Sequence, residues 1–205
     1  MPKLLLATGN PGKLREFRAL LVDLESQLLA PGDLDLHLGV EEKGDTYAEN
    51  AAHKARTYAH HTGLVSLADD SGLEVAALDG APGLFSARFA SQPGATDADR
   101  RAILLQQLQP HPRPWNARFR CTVALATPER VVNLTEGTCP GEIIPEERGQ
   151  GGFGYDPIFL IAELGKTMAE LSMAEKNQIS HRARAVRAAI PLLKDLLANP
   201  PDIDR

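Results

Sequence analysis

The chain is poor in cysteine, has no surplus of basic charge and contains no long apolar run. Each shortage removes a class of protein. Its 205 residues include two cysteines, Cys121 and Cys139. They lie far apart and lack CxxC spacing, which predicts two reduced, partly buried thiols in a cytosolic protein. The formal net charge is −5, so nothing global draws the chain to a nucleic-acid backbone. An anionic ligand must be held by local cations and backbone dipoles. No apolar stretch approaches the roughly 20 residues needed to cross a bilayer. The apolar start Leu4-Leu5-Leu6-Ala7 is too short for a signal peptide and leads straight into a glycine turn, so a cytoplasmic protein with no membrane partner is expected. Repeats, low-complexity tracts and a separating linker are also missing, so residues 1–205 are expected to form a single domain.

Apolar residues make up 43% of the chain, enough for a sizeable core. The run Lys3–Ala7 predicts a strand, ended by the turn Thr8-Gly9-Asn10-Pro11-Gly12. Leu14, Phe17, Leu21 and Leu24 then recur at helical spacing, and Gln27–Ala30 predicts a second strand. Thr46-x-x-Glu49 is a capping box opening an alanine-rich helix to about His61. The run Leu64–Ala68 predicts a buried strand stopped by Asp69-Asp70-Ser71-Gly72, with a separate short strand over Leu73–Leu78. Thr96 can cap a helix through Leu108. Two longer runs, Asn116–Ala126 and Arg130–Thr138, suggest a hairpin, and Pro157–Ile161 suggests another strand. Ser172-x-x-Glu175 is a further capping box, and the apolar stripe Val186, Ile190, Leu193 and Leu197 marks the last helix. The tail Asn199–Arg205 is expected to fray. Helices and strands therefore alternate, with a hairpin late in the chain, and the expected class is α/β with a mixed sheet.

Four strings carry candidate chemistry. Thr8-Gly9-Asn10-Pro11-Gly12-Lys13 joins a strand to a helix start, where backbone N–H groups and a positive dipole end suit a phosphate. Lys13 in the first turn opposes the dipole, and a bound polyphosphate reverses the sign of that cost. The longer Walker loop is absent. Asp69-Asp70-Ser71-Gly72 follows a buried strand, where adjacent carboxylates need a cation or hydrogen bonds. Magnesium takes few protein carboxylates and fills its shell with water and phosphate oxygens, and Glu41-Glu42 can supply one more. Gly151-Gly152-Phe153-Gly154-Tyr155-Asp156-Pro157 leaves room for a flat ring to stack on Phe153 or Tyr155. Lys176-Asn177-Gln178-Ile179-Ser180-His181-Arg182 places cations at an expected helix start, with donors that suit a carbonyl at purine position 6 and reject an amino group there. Tyr47, Asn50 and Lys54 can form one helical stripe. His60-His61 reads as a surface pair. Taken singly, each string is equally compatible with an ordinary turn, cap or core loop.

Taken in order, the strings resemble the inosine triphosphate pyrophosphatase family, the non-canonical purine NTP pyrophosphatases. The matching segments are Ala7–Lys13, Thr46–Ala51, Ala68–Leu73, Ala81-Pro82-Gly83, Gly151–Pro157 and Ile179–Arg182. The resemblance implies an elongated central mixed β-sheet flanked by helices, two lobes around a cleft, and a homodimer. It implies that Thr8, Gly9, Asn10, Pro11, Gly12 and Lys13 hold the triphosphate, with Lys54 able to reach it. Glu41 and Asp70 would bind Mg2+, with Asp70 also the general base, and Ser71 would touch substrate. Phe153, Gly154, Tyr155 and Asp156 would hold base and sugar, and Lys176, His181 and Arg182 would read the purine. Phe85 and Phe89 depart from the tyrosines expected there.

The implied reaction is hydrolysis of ITP, dITP or XTP to the monophosphate and pyrophosphate. Water, deprotonated by Asp70, would attack the α-phosphorus. Two other readings stay open: a non-catalytic nucleotide-binding module, and a pyrophosphatase for modified pyrimidine triphosphates.

Overall fold

The computed structural model describes residues 1–199. Of the tail expected to fray, all but Asn199 lies outside the described residues. Seven strands, β1 (Lys3–Leu6), β2 (Gln27–Leu29), β3 (Val65–Val75), β4 (Trp115–Ala126), β5 (Val131–Ile143), β6 (Phe159–Ile161) and β7 (Lys166–Thr167), follow one another in the hydrogen-bonded order β2-β1-β3-β4-β5-β6-β7. β1 pairs parallel with β2 and β3, whereas β6 pairs antiparallel with β5 and β7. The sheet is therefore mixed, as expected. The main helices are α1 (Pro11–Leu20), α2 (Tyr47–Thr62), α3 (Asp97–Leu108), α4 (Met173–Ile179) and α5 (His181–Ala198). Among the described residues no helix is long and apolar enough to cross a membrane.

The chain falls into two compact units. Unit 1 takes residues 1–70, 121–137 and those from Arg182 onward, and unit 2 takes 71–120 and 138–181. β3, β4 and β5 each contribute residues to both. In unit 1 the period-2 alternation of strands sends side chains to two cores. Val65 and Leu67 join Leu4, Leu6, Phe17 and the α5 residues Val186, Ala189 and Leu193. Ala68 joins Leu5, Ala7 and the α2 alanines Ala51, Ala55 and Ala59. The small residues let α2 approach the strands closely. Unit 2 has its own core, in which Leu73, Val75, Phe119 and Phe159 pack with Leu104 and Leu108 of α3.

Helix starts follow the caps. Asn10 accepts from Gly12 and Lys13 N–H, and Thr46, Thr96 and Ser172 each form a capping box with the residue three on. Three expectations are corrected. The strand expected to stop at Ala68 instead runs unbroken to Val75, and residues 76–78 form a 3-10 turn rather than a strand. Asp breaks strands when its side chain competes for nearby backbone, but here both carboxylates are engaged by distant side chains. Lys176 lies within α4, and only His181 and Arg182 open the last helix. β7 and the 3-10 turns carry too few residues for any periodicity to register.

Because the Thr46 hydroxyl accepts from the Glu49 N–H at 3.1 Å, Thr46→Ala should cost about 1 kcal/mol of stability, with Thr46→Ser close to wild type. Urea denaturation of the three proteins checks this.

Candidate functional site

In unit 1 the pleat separates the two adjacent acids. Asp69 follows Val65 and Leu67 toward α1 and α5. Asp70 follows Ala68 toward α2. They do not form one paired carboxylate site.

Asp69 is fully buried. Lys13 Nζ lies 3.0 Å from its Oδ1, and Arg182 Nε donates to its Oδ2 at 3.1 Å. Burial alone would push this carboxyl up, but the Lys13, Arg182 and Lys54 charges outweigh it and hold it well below the usual carboxylate range. Arg182 is 1% exposed, pairs also with Glu16 of α1, and lies over the Phe17 ring at 5.9 Å. Glu16 was not singled out in the sequence, since it reads as one more polar position on an amphipathic helix. Cys121 sits buried beside Asp69, and burial together with that carboxylate pushes its thiol far up.

Asp70 is 5% exposed, and its Oδ2 accepts from Asn50 Nδ2 at 2.9 Å. Burial raises its pKa above the ordinary value. The Asn50 hydrogen bond opposes that, and the Glu42 charge adds to it. Lys54, one turn beyond Asn50 on α2, forms an ion pair with Glu42. Burial would lower the Lys54 pKa, but Asp69, Glu42 and Asp70 more than offset it. Glu41, expected as the metal ligand, is placed otherwise. Its side chain is 70% exposed and pairs with Lys43. Glu42 is the carboxylate that faces Lys54 and acts on Asp70.

The loop expected to hold phosphate also differs in detail. Asn10 Oδ1 accepts from Gly12 N at 2.8 Å and Lys13 N at 3.1 Å, and Thr8 Oγ1 accepts from Asn10 N at 3.2 Å. These amides were expected to meet phosphate. In this structure the loop caps itself, and its charge resides in Lys13. Pro11 occupies the first helical position, where a missing N–H costs nothing.

In unit 2, Asp156 organises the aromatic loop. Its Oδ2 accepts from the Phe153 N–H at 2.9 Å and from Lys176 Nζ at 2.5 Å. Both side chains of the Asp156–Lys176 pair are 5% exposed. Gly152 has φ +73°, and a Cβ there would collide with the Asp156 carboxylate. Lys176 Nζ lies 5.3 Å from the Phe153 ring centroid, a cation–π distance. Tyr155 is buried, and its hydroxyl donates to the Ser86 carbonyl at 3.0 Å. His181 stacks on Phe119, with centroids 4.8 Å apart and planes 17° off parallel. Phe119, set in a plain strand pattern, was missed. Ser71 begins unit 2 within β3, half-buried. Unit 1 thus brings together Thr8–Lys13, Asp70 and Lys54, and also holds Arg182. Unit 2 brings together Phe153–Asp156, Lys176 and His181.

A model of the Ham1 family matches residues 4–192. The dITP/XTP pyrophosphatase of Desulforamulus reducens is 47% identical, covering 95% of this chain and 96% of its own. That of Geobacter sulfurreducens is 48% identical, covering 96% and 97%. Among solved structures, a HAM1 protein from Coxiella burnetii matches with a TM-score of 0.84 at 42% identity, over 95% of this chain and all of its own. The Staphylococcus aureus Ham1 protein matches at 0.81 and 37%, over 94% and 98%.

Removing one member of a buried charge cluster leaves its partners uncompensated. Asp69→Asn should therefore cost about 3–5 kcal/mol, while Glu41→Gln, in an exposed pair, should stay within about 0.5 kcal/mol of wild type. Denaturant midpoints of the two variants distinguish them.

Proposed function

Because the chain belongs to the Ham1 family, we propose that it removes non-canonical purine nucleotides from the pool. It is a nucleoside-triphosphate pyrophosphatase that hydrolyses ITP, dITP and XTP to the monophosphate and pyrophosphate. The observation that carries the catalytic assignment is Asp70, a buried carboxylate oriented by Asn50 and made more basic by its surroundings.

The donor set around Asp70 suits magnesium. Among the described residues no group of three or more His, Cys, Asp or Glu could hold a metal, so the protein offers few ligands. Magnesium accepts that, because water and phosphate oxygens complete its shell. Asp70 and Glu42 are the oxygen donors we assign, with Glu42 in place of the Glu41 expected from sequence. Their mutual repulsion, evident in the upward push of Glu42 on Asp70, is what a divalent cation relieves. Bound there, Mg2+ supplies charge neutralisation to the phosphate oxygens.

The chain's own residues do the rest. Lys13 and Lys54 hold the polyphosphate, with Thr8, Gly9, Asn10, Pro11 and Gly12 shaping its approach. Asp70 orients a water and takes its proton. The resulting hydroxide forms a bond to the α-phosphorus as the bond from that phosphorus to the bridging oxygen breaks. Pyrophosphate leaves with its charge met by the lysines. Ser71 contacts the substrate. Phe153, Gly154, Tyr155 and Asp156 hold base and sugar. Lys176 and His181 read the purine 6-carbonyl, and Arg182, anchored by Glu16 and Asp69 in unit 1, keeps the purine-reading role that the resemblance implies. We further propose that the chain acts as one catalytic domain over 1–205, as a homodimer, in the cytoplasm.

Asp70→Asn should retain triphosphate binding while turnover falls about 10^2–10^4-fold. Equilibrium binding of ITP alongside pyrophosphate release checks this, and unchanged turnover removes Asp70 from the base role. A panel of inosine, xanthosine, guanosine, adenosine and modified pyrimidine triphosphates with Mg2+ tests the substrate class. Turnover of pyrimidines in preference to ITP would overturn the purine reading.

A further inference from the structure

Gly154 lies between the two aromatic residues of the base loop, at φ +63°. A Cβ built there meets nothing within 4 Å, so the side a side chain would occupy is open and gives this peptide no contact. It is held by α3 instead. The Gly154 N–H donates to Asp97 Oδ2 at 2.7 Å, and its carbonyl accepts from Arg101 Nη1 at 2.8 Å. Asp97 and Arg101 are four apart on α3, hence on one face and one turn from each other. Both are braced from behind. Arg100 Nη2 donates to Asp97 Oδ1 at 2.5 Å. Arg101 reaches Glu147 with two parallel bonds, at 2.7 and 2.9 Å, the forked geometry that fixes a guanidinium plane. Burial would push the Asp97 carboxyl up, but its bonds to Arg100 and the Gly154 N–H hold it below the ordinary value, so it is a charged acceptor.

A glycine with open space around it is the freest residue in a loop. Rotation about Gly154 would swing Phe153 on one side and Tyr155 on the other. The flanking residues are tied separately, Phe153 N–H to Asp156 and Tyr155 hydroxyl to the Ser86 carbonyl. The Gly154 peptide is the link between those anchors, and α3 grips both its donor and its acceptor. We propose that Asp97 and Arg101 are positioning residues for base recognition, fixing the Gly154 peptide so that Phe153 presents its ring to the purine. The inference rests on the reading of Phe153–Asp156 as the base-binding loop. It assigns the pair to nucleotide affinity and base discrimination, not to the hydrolytic step.

The test is steady-state kinetics with ITP and ATP on Asp97→Ala, Arg101→Met, Asp97→Asn, Phe153→Ala and the Arg101→Met/Phe153→Ala double variant, each with its urea midpoint. Hydrogen bonds to charged groups are worth enough that Asp97→Ala and Arg101→Met should each raise KM for ITP about tenfold, with kcat little changed and the ITP preference over ATP reduced. Asp97→Asn keeps an oxygen that accepts from the Gly154 N–H and should recover most of the loss. In the double variant, Arg101→Met should add little to Phe153→Ala, because both act through one ring. Should Asp97→Ala fail to fold, Arg101→Met and the double variant decide alone. If Phe153→Ala raises KM while the α3 variants do not, or if their losses fall on kcat or add to that of Phe153→Ala, the positioning role is overturned and the base-loop reading stands. If Phe153→Ala leaves KM unchanged, the base-loop reading fails and takes the inference with it.

Discussion

A carboxylate withdrawn from water needs positive charge close by, and in unit 1 that requirement falls on Asp69. Lys13 meets one oxygen and Arg182 the other, and Arg182 is met in turn by Glu16. Two carboxylates and two cations make a cluster without net charge, which is the condition under which such groups tolerate burial. Its members come from α1, β3 and α5. β3 is therefore tied to α1 and α5 through one side chain. Lys13 is 14% exposed and already has a partner. On the proposed function a polyphosphate competes with Asp69 for it.

The other face of β3 has a different balance. Asp70 and Glu42 stand against Lys54, an excess of one negative charge when both acids are ionised. Such a surface repels a polyanion. A dication bound to the two acids converts the excess to one positive charge. This charge count is the electrostatic argument for the metal proposed on the α2 side, and Asp69, matched on its own side, gives no such argument. The pleat of a single strand thus divides two identical adjacent residues into an acid matched by two cations and the one proposed to be catalytic.

That division was within reach of the sequence and was lost to a local rule. The string Asp69-Asp70-Ser71-Gly72 has the composition of a turn, and reading it as one ended the strand four residues after it began. Carried through, the alternation of Val65, Leu67 and Asp69 against Ser66, Ala68 and Asp70 gives the two faces directly. Local chemistry was otherwise legible. The caps at Thr46, Thr96 and Ser172 involve partners three residues away, and the alanine face of α2 is a one-helix pattern. What escaped was non-local. Glu16 meets Arg182 across 166 residues, and Asp97 meets Gly154 across 57. Phe119 stacks on His181 from a strand whose apolar pattern marks only core. No spacing along the chain encodes such pairs, because they arise only when the sheet brings its strands and helices together.

The two units also solve different physical problems. Around Asp69 and Asp70 the task is charge: the side chains at Asp69 compensate one another, and those at Asp70 leave a negative excess. Around Phe153 the task is orientation, and a glycine-dense loop is by itself a poor instrument for it. Unit 2 supplies the missing rigidity from outside the loop. Asp156 holds the Phe153 amide and Lys176 together, Ser86 takes the Tyr155 hydroxyl, and α3 holds the intervening peptide. The glycines then serve the purpose that only they can. Gly152 lets the Asp156 carboxylate occupy the space a Cβ would fill, and Gly154 takes a positive φ at no steric cost. These contacts are distinct from those that hold Asp70 and Lys13 in unit 1, so on the proposed function substitutions in them alter which base is accepted and spare the hydrolytic charges. On the proposed function, base discrimination and hydrolysis are thereby carried by different residues, and each can change without the other.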